Sequence, residues 1–307
     1  MPGRPFLQAG LVRECLDGLK TVFQTQRGHI LLFPGSGTGA WEVALVNTLS
    51  PGDRVLACVN GHFSAGFAKV AAAYGIECDR LEVPYGGGIA AAEVDARLRA
   101  DSARQLRAVL IVHNETSTGV TSDIAAVRRA LTAAGHPALL LVDTVSSLAS
   151  IDFRMDDWGV DVALTGPQKG LMLPPGLAIV AASQKAVDAS EKAKCPRSYW
   201  DWAPVIERNR RGEYPYTPAI ALLFGLRESL AMLAEEGLGE VFKRHARLGE
   251  ACRRAVSGLG LEILCRNPAE HSNTLTAVVM PGARIPTPIS RMPTRRSRCP
   301  SAPGSAT

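Results

Sequence analysis

Residues 31–42 read LLFPGSGTGAWE: an apolar run, a turn of glycines interrupted by Ser36 and Thr38, and the start of an amphipathic helix. The first backbone N–H groups of a helix have no acceptor within it, and with the aligned peptide dipoles they favour an anion. Glycine lets the chain turn tightly and approach a ligand closely. The stretch predicts a strand, a tight turn and a helix, with a phosphate as candidate ligand; a turn without any ligand is the alternative.

The letters GSGTGA also match the dinucleotide-binding pattern G-x-G-x-x-[GA]. A nicotinamide site needs in addition an acidic residue at the end of the next strand, whereas the next apolar run ends at Asn60. A Walker loop is excluded because no Gly-Lys-[Ser/Thr] follows the glycines. An NAD-dependent oxidoreductase therefore stays an alternative that only this short pattern favours.

Short apolar runs alternate with helical patterns along the chain. The runs that read as buried parallel strands are HILLF (29–33), RVLACV (54–59), RAVLIVH (107–113), ALLLVD (138–143), DVALTG (161–166) and LAIVAA (177–182). Between most of them lie the helical patterns GAWEVALVNTL, SAGFAKVAAAYG, EVDARLRADS and DIAAVRRALTAAG. This alternation predicts an α/β fold with a mostly parallel central sheet, flanking helices, and ligands at the carboxyl ends of the strands.

A second, smaller unit is expected towards the C-terminus. A long helical stretch at 218–256 is interrupted near Gly237 to Gly239, and the strand-like pieces LEILC and LTAVVM follow it. The sequence that follows is RIPTPISRMPTRRSRCPSAPGSAT, which has almost no apolar periodicity and predicts a disordered segment. The domain prediction is a large domain over 1–236, the remnant of a small α+β domain over 237–283, and an aberrant tail over 284–307.

Composition narrows the classes of protein. The chain has 307 residues with 46% hydrophobic side chains, and much of its net charge of +5 comes from the tail, so nothing favours a nucleic-acid partner. Its seven cysteines form no C-x-x-C motif, which favours reduced thiols in the cytoplasm and argues against a metal site. No apolar run is long enough for a bilayer, and the N-terminus lacks a signal-peptide layout. We therefore expect a cytoplasmic protein that has no membrane partner.

Two of the predicted strands end in residues that could serve one cofactor. ALLLVD ends in Asp143, and Gln168 and Lys169 come just after DVALTG. An amine, a carboxylate and a phosphate-binding turn at one sheet edge would suit pyridoxal 5′-phosphate. Lys169 would form a Schiff base with its aldehyde, and Asp143 would keep its pyridine nitrogen protonated. Taken singly, an Asp after a strand is more often a turn residue or a helix N-cap, and a Lys-Gly pair after a strand is more often a solvated loop.

The chain resembles the class V aminotransferases, a branch of the fold-type-I enzymes that use pyridoxal phosphate. The resemblance covers about residues 10–283 and rests on the segments SGTGAWE, VNTLSPGDRVL, VHNETSTGV, HPALLLVDTVSSLASIDFRMDDWGVDV, QKGLMLPPGL, PRSYWDW, YTPA and LRESLAMLAEEGL. Within the family the chain looks like bacterial members that transfer the amino group of serine to glyoxylate. The resemblance thus implies transamination from serine, or alanine, to glyoxylate, giving glycine and hydroxypyruvate, or pyruvate.

The resemblance also implies a role for each matching position. Lys169 matches the lysine that bonds to the cofactor and moves the substrate proton, and Asp143 matches the carboxylate at the pyridine nitrogen. Val145 and Phe63 match the side chains on the two faces of the ring. The positions implied for the cofactor's phosphate and phenolic oxygen are Ser36, Gly37, Thr38, Gln168 and Thr116. Tyr216 and Thr217 match residues that reach the phosphate of the neighbouring subunit, which implies a homodimer.

Two positions near the lysine differ from relatives. Cysteine desulfurases on the same fold have a histidine immediately before the lysine, so Gln168 favours transamination over sulfur removal. Pro167 stands where close relatives tend to have a small hydroxyl residue, which removes a backbone N–H and could weaken cofactor binding.

Both ends of the sequence depart from the family. Relatives begin earlier, with a GPGP-type segment near the substrate, and an arginine of their small domain binds the substrate's α-carboxylate. The candidates for that arginine all lie in the aberrant tail: Arg291, Arg295, Arg296 and Arg298. A frameshift that replaces most of the small domain would explain the tail. The alternative to an active enzyme is therefore a truncated, inactive chain that binds the cofactor or pairs with intact subunits.

Overall fold

The computed structural model describes the backbone of residues 4–282 and the side chains of residues 10–282. The predicted aberrant tail at 284–307 lies outside the described residues. The strands are β1 (His29–Pro34), β2 (Arg54–Val59), β3 (Glu77–Glu82), β4 (Leu106–Val112), β5 (Asn114–Glu115), β6 (Val120–Thr121), β7 (Leu139–Asp143), β8 (Val162–Thr165), β9 (Leu177–Ala182), β10 (Glu262–Ile263) and β11 (Val278–Val279). The helices are α1 (Arg4–Phe23), α2 (Gly37–Thr48), α3 (His62–Ala73), α4 (Ala91–Ala100), α5 (Ile124–Ala133), α6 (Gln184–Ser190), α7 (Trp202–Asn209), α8 (Ile220–Glu236) and α9 (Leu238–Gly258), with a 3₁₀ turn at Pro268–Glu270.

The central sheet has seven strands in the order β1-β9-β8-β7-β4-β2-β3. Strands β8, β7, β4, β2 and β3 run parallel, which confirms the α/β sheet that the apolar runs predict. The prediction that LAIVAA is parallel is wrong, because β9 is antiparallel to both β1 and β8. Only a short segment joins β8 to β9, and a parallel return needs a crossover of a dozen or more residues.

Helices cover both faces of the sheet, and alternate residues of each strand pack against opposite layers. In β7, Leu140 and Val142 belong to the core that includes α1, α5 and α8. Leu139 and Leu141 belong to the core that includes α2 and α7. Asp143 therefore lies on the α2 side of the sheet, at the carboxyl end of the strand.

Strand β3 is missing from the sequence prediction. It is one of the two edge strands of the sheet, and of its residues only Leu81 is buried. A strand with one exposed edge needs no continuous apolar run, so ECDRLE carries no strand signal of the kind that the buried strands give.

The C-terminal elements follow the predicted pattern. The long helical stretch divides into α8 and α9 at Gly237, where a φ of +80° suits glycine. The two strand-like pieces pair as the antiparallel strands β10 and β11. The division into a large and a small domain stays a prediction. Within residues 4–282, no helix combines the length and the apolar character that a membrane crossing requires.

Candidate active site

A cavity of about 190 Å³ opens at the carboxyl ends of the parallel strands. Its lining residues come from several separate segments: Ser36, Gly37, Thr38, Trp41, Phe63, Val112, Asn114, Thr116, Asp143, Val145, Ser146, Gln168 and Lys169. The structure thus brings together every predicted site residue except Tyr216 and Thr217. Long-range contacts assemble the cavity, since its walls span more than 130 residues of chain from Ser36 to Lys169.

The glycine turn lets α2 begin directly against the cavity. The Ser36 hydroxyl caps the helix by accepting a hydrogen bond from the Gly39 N–H at 3.1 Å. A Cβ on Gly37 would lie 2.9 Å from the Val145 side chain, so glycine permits this close packing. Gly37 and Thr38, the first two residues of α2, line the cavity, so the helix begins at the cavity wall, as an anion-binding helix terminus requires.

Asp143 is a buried carboxylate with two fixed donors. It is only 3% exposed, and it accepts hydrogen bonds from the Trp41 indole at 2.6 Å and from the Val145 backbone N–H at 2.8 Å. Burial raises its pKa to about 6, although these two donors lower it and the charge of Glu115 raises it slightly further. A positively charged ligand beside this carboxylate would be favoured, because burial destabilises the charged form.

Trp41 fixes the orientation of Asp143, and sequence reasoning did not assign it this role. Its indole ring stacks on Phe67 with the ring centroids 5.6 Å apart. The available signal is spacing: Trp41 lies four residues after Gly37 and hence on the same face of α2. The resemblance quotes this tryptophan within SGTGAWE without giving it a function.

Lys169 and Gln168 lie on the segment between β8 and β9. Lys169 is exposed and lines the cavity. Next to it, a Cβ on Gly170 would lie 2.2 Å from the Leu148 carbonyl oxygen, so only glycine lets this segment pack so closely. The buried Oε1 of Gln168 has no hydrogen-bond partner among the described residues. A buried amide oxygen without a partner fits a hydrogen-bond donor on a ligand in the adjacent cavity.

Glu115 is a second buried carboxylate that sequence reasoning missed, and it holds the start of α3. It is fully buried and accepts hydrogen bonds from the backbone N–H groups of Phe63 at 3.3 Å and Ser64 at 2.9 Å. The Ser117 hydroxyl donates to it at 2.7 Å. A carboxylate at a helix N-terminus is favourable, and here it fixes the backbone that carries the half-exposed Phe63 ring beside the cavity. The position of Glu115 beside Thr116 in NETSTG was the available signal.

Tyr216 and Thr217 do not line the cavity of their own chain. The Tyr216 hydroxyl donates to the Ser198 carbonyl at 3.1 Å, and its ring packs on Tyr199 with the centroids 5.0 Å apart. Thr217 is exposed. Their predicted contact is with the phosphate of a neighbouring subunit, so it stays a prediction.

Comparison with known proteins identifies the family. The family model described as aminotransferase class-V matches residues 9–285. The chain therefore belongs to the class V aminotransferases, and its fold is that of the fold-type-I aminotransferases. Pyridoxal phosphate is the cofactor that membership of this family implies.

Several individual relatives are closely similar. The chain is 48% identical over 271 residues to an L-aspartate–glyoxylate aminotransferase of Paracoccus denitrificans, and the match covers 88% of this chain and 68% of that protein. It is 48% identical over 276 residues to a serine–glyoxylate aminotransferase of Methylorubrum extorquens, covering 88% of this chain and 69% of that protein. The crystal structure of an alanine–glyoxylate aminotransferase from Nostoc sp. superposes with a TM-score of 0.83 at 30% identity, covering 90% of this chain and 72% of that one.

Asp143 is expected to make the stability of the cofactor-free protein depend on pH. Its folded pKa of about 6 lies above the ordinary value of 3.8. Its contribution to stability is therefore fully present below pH 3.8 and is lost as the pH rises through 6. Between pH 4 and pH 8, wild type should lose about 2.5 kcal/mol more unfolding free energy than Asp143→Asn, since each unit of pKa difference is worth about 1.4 kcal/mol and a small part is already lost at pH 4.

Urea unfolding across this pH range measures the difference. The comparison uses the slope of unfolding free energy against pH rather than its value at one pH. The slope is unaffected by the constant cost of placing the amide of the variant between two N–H donors. Asp157→Asn is the matched control, because Asp157 is exposed and should leave the wild-type slope unchanged. Equal pH dependence in wild type and Asp143→Asn would contradict the raised pKa.

Proposed function

We propose that the chain binds pyridoxal 5′-phosphate in the cavity and transfers the amino group of serine to glyoxylate, giving hydroxypyruvate and glycine. The observation that carries the proposal is the placement of Asp143, Lys169 and the start of α2 around one cavity of about 190 Å³. The names of the relatives support glyoxylate as the acceptor. Because those names differ in the donor, alanine and aspartate are tested beside serine.

The cavity residues fit the cofactor in chemistry. Asp143 would pair with the protonated pyridine nitrogen, and Val145 and Phe63 would lie on the two faces of the ring. Thr116 would reach the phenolic oxygen. The residues proposed for the phosphate are those at the start of α2 and Gln168, whose Nε2 would be the donor: Ser36, Gly37, Thr38 and Gln168. When bound, the cofactor supplies an electron-accepting ring that stabilises negative charge at the substrate α-carbon.

Two side chains, Asp143 and Lys169, would act directly in the reaction. The Asp143 carboxylate is held in place by Trp41 and the Val145 N–H, so it presents a fixed negative charge in a site of low dielectric. Lys169 would first hold the cofactor through its Nζ. Once released, the same Nζ would take the proton from the substrate α-carbon. It would then deliver a proton to the carbon of the cofactor that receives the amino group.

We also propose that two chains form a cytoplasmic homodimer in which Tyr216 and Thr217 reach the partner's phosphate group. Their position outside the cavity of their own chain supports this arrangement. The free cysteines among the described residues suit a reducing compartment.

Mixing two inactive variants tests the shared site. Lys169→Ala removes the amine from the site of its own chain. Tyr216→Ala combined with Thr217→Ala removes the two side chains that would reach the site of the partner chain. Mixed, unfolded and refolded together, the two should regain up to about a quarter of wild-type activity, because one site in half of the dimers is intact. A mixture as inactive as its parents would contradict the shared site.

Lys169→Ala tests the chemistry. Wild type incubated with pyridoxal phosphate and reduced with borohydride should carry the cofactor on the peptide that contains Lys169, as detected by mass spectrometry. The variant should form glycine from serine and glyoxylate at least about 10²–10⁴-fold more slowly, since it lacks the group that transfers the proton. The exposed Lys192→Ala is the matched control and should keep full activity.

The same assays discriminate the alternatives. Cofactor on Lys169 without glycine formation would identify an inactive cofactor-binding or subunit-pairing chain. Absence of bound cofactor together with NADH binding would instead support the oxidoreductase interpretation of GSGTGA.

A further inference from the structure

A second cavity of about 380 Å³ adjoins the cofactor cavity. The two share Lys169, Thr116 and Ser146 as lining residues. The far wall of the second cavity comes from α8 and α9 and includes Val241 and Arg244. Any substrate that reacts beside the Lys169 amine can therefore extend into this space.

Amino acids and 2-oxo acids both carry a carboxylate that must meet a cation when it leaves water. Among the described residues that line either cavity, Lys169 and Arg244 are the side chains with a lasting positive charge. Lys169 is needed for the proposed reaction itself. Arg244 is thus the cation on these walls that a substrate carboxylate can use, and a guanidinium matches a carboxylate in planar, two-point geometry.

We propose that Arg244 binds the carboxylate of the substrate in this second cavity. The inference rests on the proposed function and extends it by assigning the residue that selects acids over simple amines. Sequence reasoning placed the candidates for this role in the C-terminal tail and did not consider α9.

The present partner of Arg244 does not prevent this role. Glu236 accepts hydrogen bonds from Nε at 2.6 Å and Nη2 at 2.9 Å. Both side chains are more than a third exposed, at 37% and 36%, and such ion pairs contribute little because water competes with them. Among the described residues, no hydrogen bond uses Nη1. A substrate carboxylate can therefore bind at Nη1 or displace Glu236.

The backbone around the second cavity is also unusual. Ala149 and Met172 both line it, and both have positive φ angles, of 61° and 57°. Non-glycine residues in this conformation are costly and concentrate at ligand sites and active sites. Met172 is in addition a half-exposed apolar side chain on this wall. Two of the four non-glycine residues with a positive φ among the described residues therefore line this one cavity.

Substitution of Arg244 and substitution of Glu236 should have opposite effects on the preference of the protein for serine over a simple amine. With the full chain loaded with pyridoxal phosphate, the absorbance change caused by L-serine is compared with that caused by ethanolamine, which lacks only the carboxylate. Arg244→Gln should reduce the preference for serine by about 10- to 100-fold, the usual range for a charge-assisted hydrogen bond. Glu236→Gln should increase that preference, because the guanidinium loses its competitor.

A pair on the same helix provides the matched control. Lys243 and Glu240 are joined at 2.7 Å on the exposed surface and line neither cavity. Lys243→Gln and Glu240→Gln should leave the preference for serine unchanged. Arg244→Lys keeps the charge and should restore part of the preference, while thermal melts check that every variant is folded.

Calorimetric titration with glycolate gives a readout that needs no reaction. Glycolate carries a carboxylate but neither an amine nor a carbonyl group, and its affinity should fall in Arg244→Gln and rise in Glu236→Gln. If wild type reacts with no amino acid while glycolate binding still depends on Arg244, the proposed function is wrong and the carboxylate site stands. If folded Arg244→Gln keeps both its preference for serine and its glycolate affinity, the inference is overturned.

Discussion

The site depends on one buried carboxylate that the fold holds in a fixed orientation. Asp143 ends the central strand β7, and its two oxygens accept from the Trp41 indole and the Val145 N–H. Its burial is unfavourable for the charged form, as the raised pKa of about 6 indicates. A protein retains such a group where a cationic partner can compensate it, and the protonated nitrogen of a pyridine ring is a partner of that kind.

The surrounding structure follows from this requirement. Strand alternation directs Asp143 to the side of the sheet on which α2 packs, and α2 supplies both Trp41 and the helix terminus for an anion. The end of β7 therefore suits the cationic ring of a cofactor, and the start of α2 suits its anionic phosphate. Lys169, on the segment that follows β8, lies at the boundary of this cavity and the larger one beside it.

The sequence allowed prediction of the elements that have strong local signals. Buried strands carry continuous apolar runs, and the glycine turn before α2 carries a motif, so Ser36, Asp143 and Lys169 could be placed at one sheet edge. The direction of β9 could not be derived from LAIVAA, because an apolar run is the same in either orientation. The shortness of the segment between β8 and β9 is the feature that indicates an antiparallel strand.

The residues that were missed act through partners distant in sequence. Trp41 serves Asp143 across 102 residues, and Glu115 caps a helix that begins about 50 residues earlier. Arg244 lines the same cavity as Lys169, although the two residues are 75 positions apart in the chain. The local signals, which are the spacing of Trp41 from Gly37 and the place of Glu115 in NETSTG, do not indicate these distant partners. The roles therefore became visible only with the three-dimensional structure.

The most direct measurement of the central claim is the protonation state of the cofactor nitrogen. Pyridoxal phosphate labelled with ¹⁵N in the ring can be bound to wild type and to Asp143→Asn and compared by NMR at pH 8. We expect the chemical shift of a protonated pyridine nitrogen in wild type and that of an unprotonated one in the variant. An unprotonated nitrogen in wild type, with the cofactor bound at Lys169, would contradict this expectation.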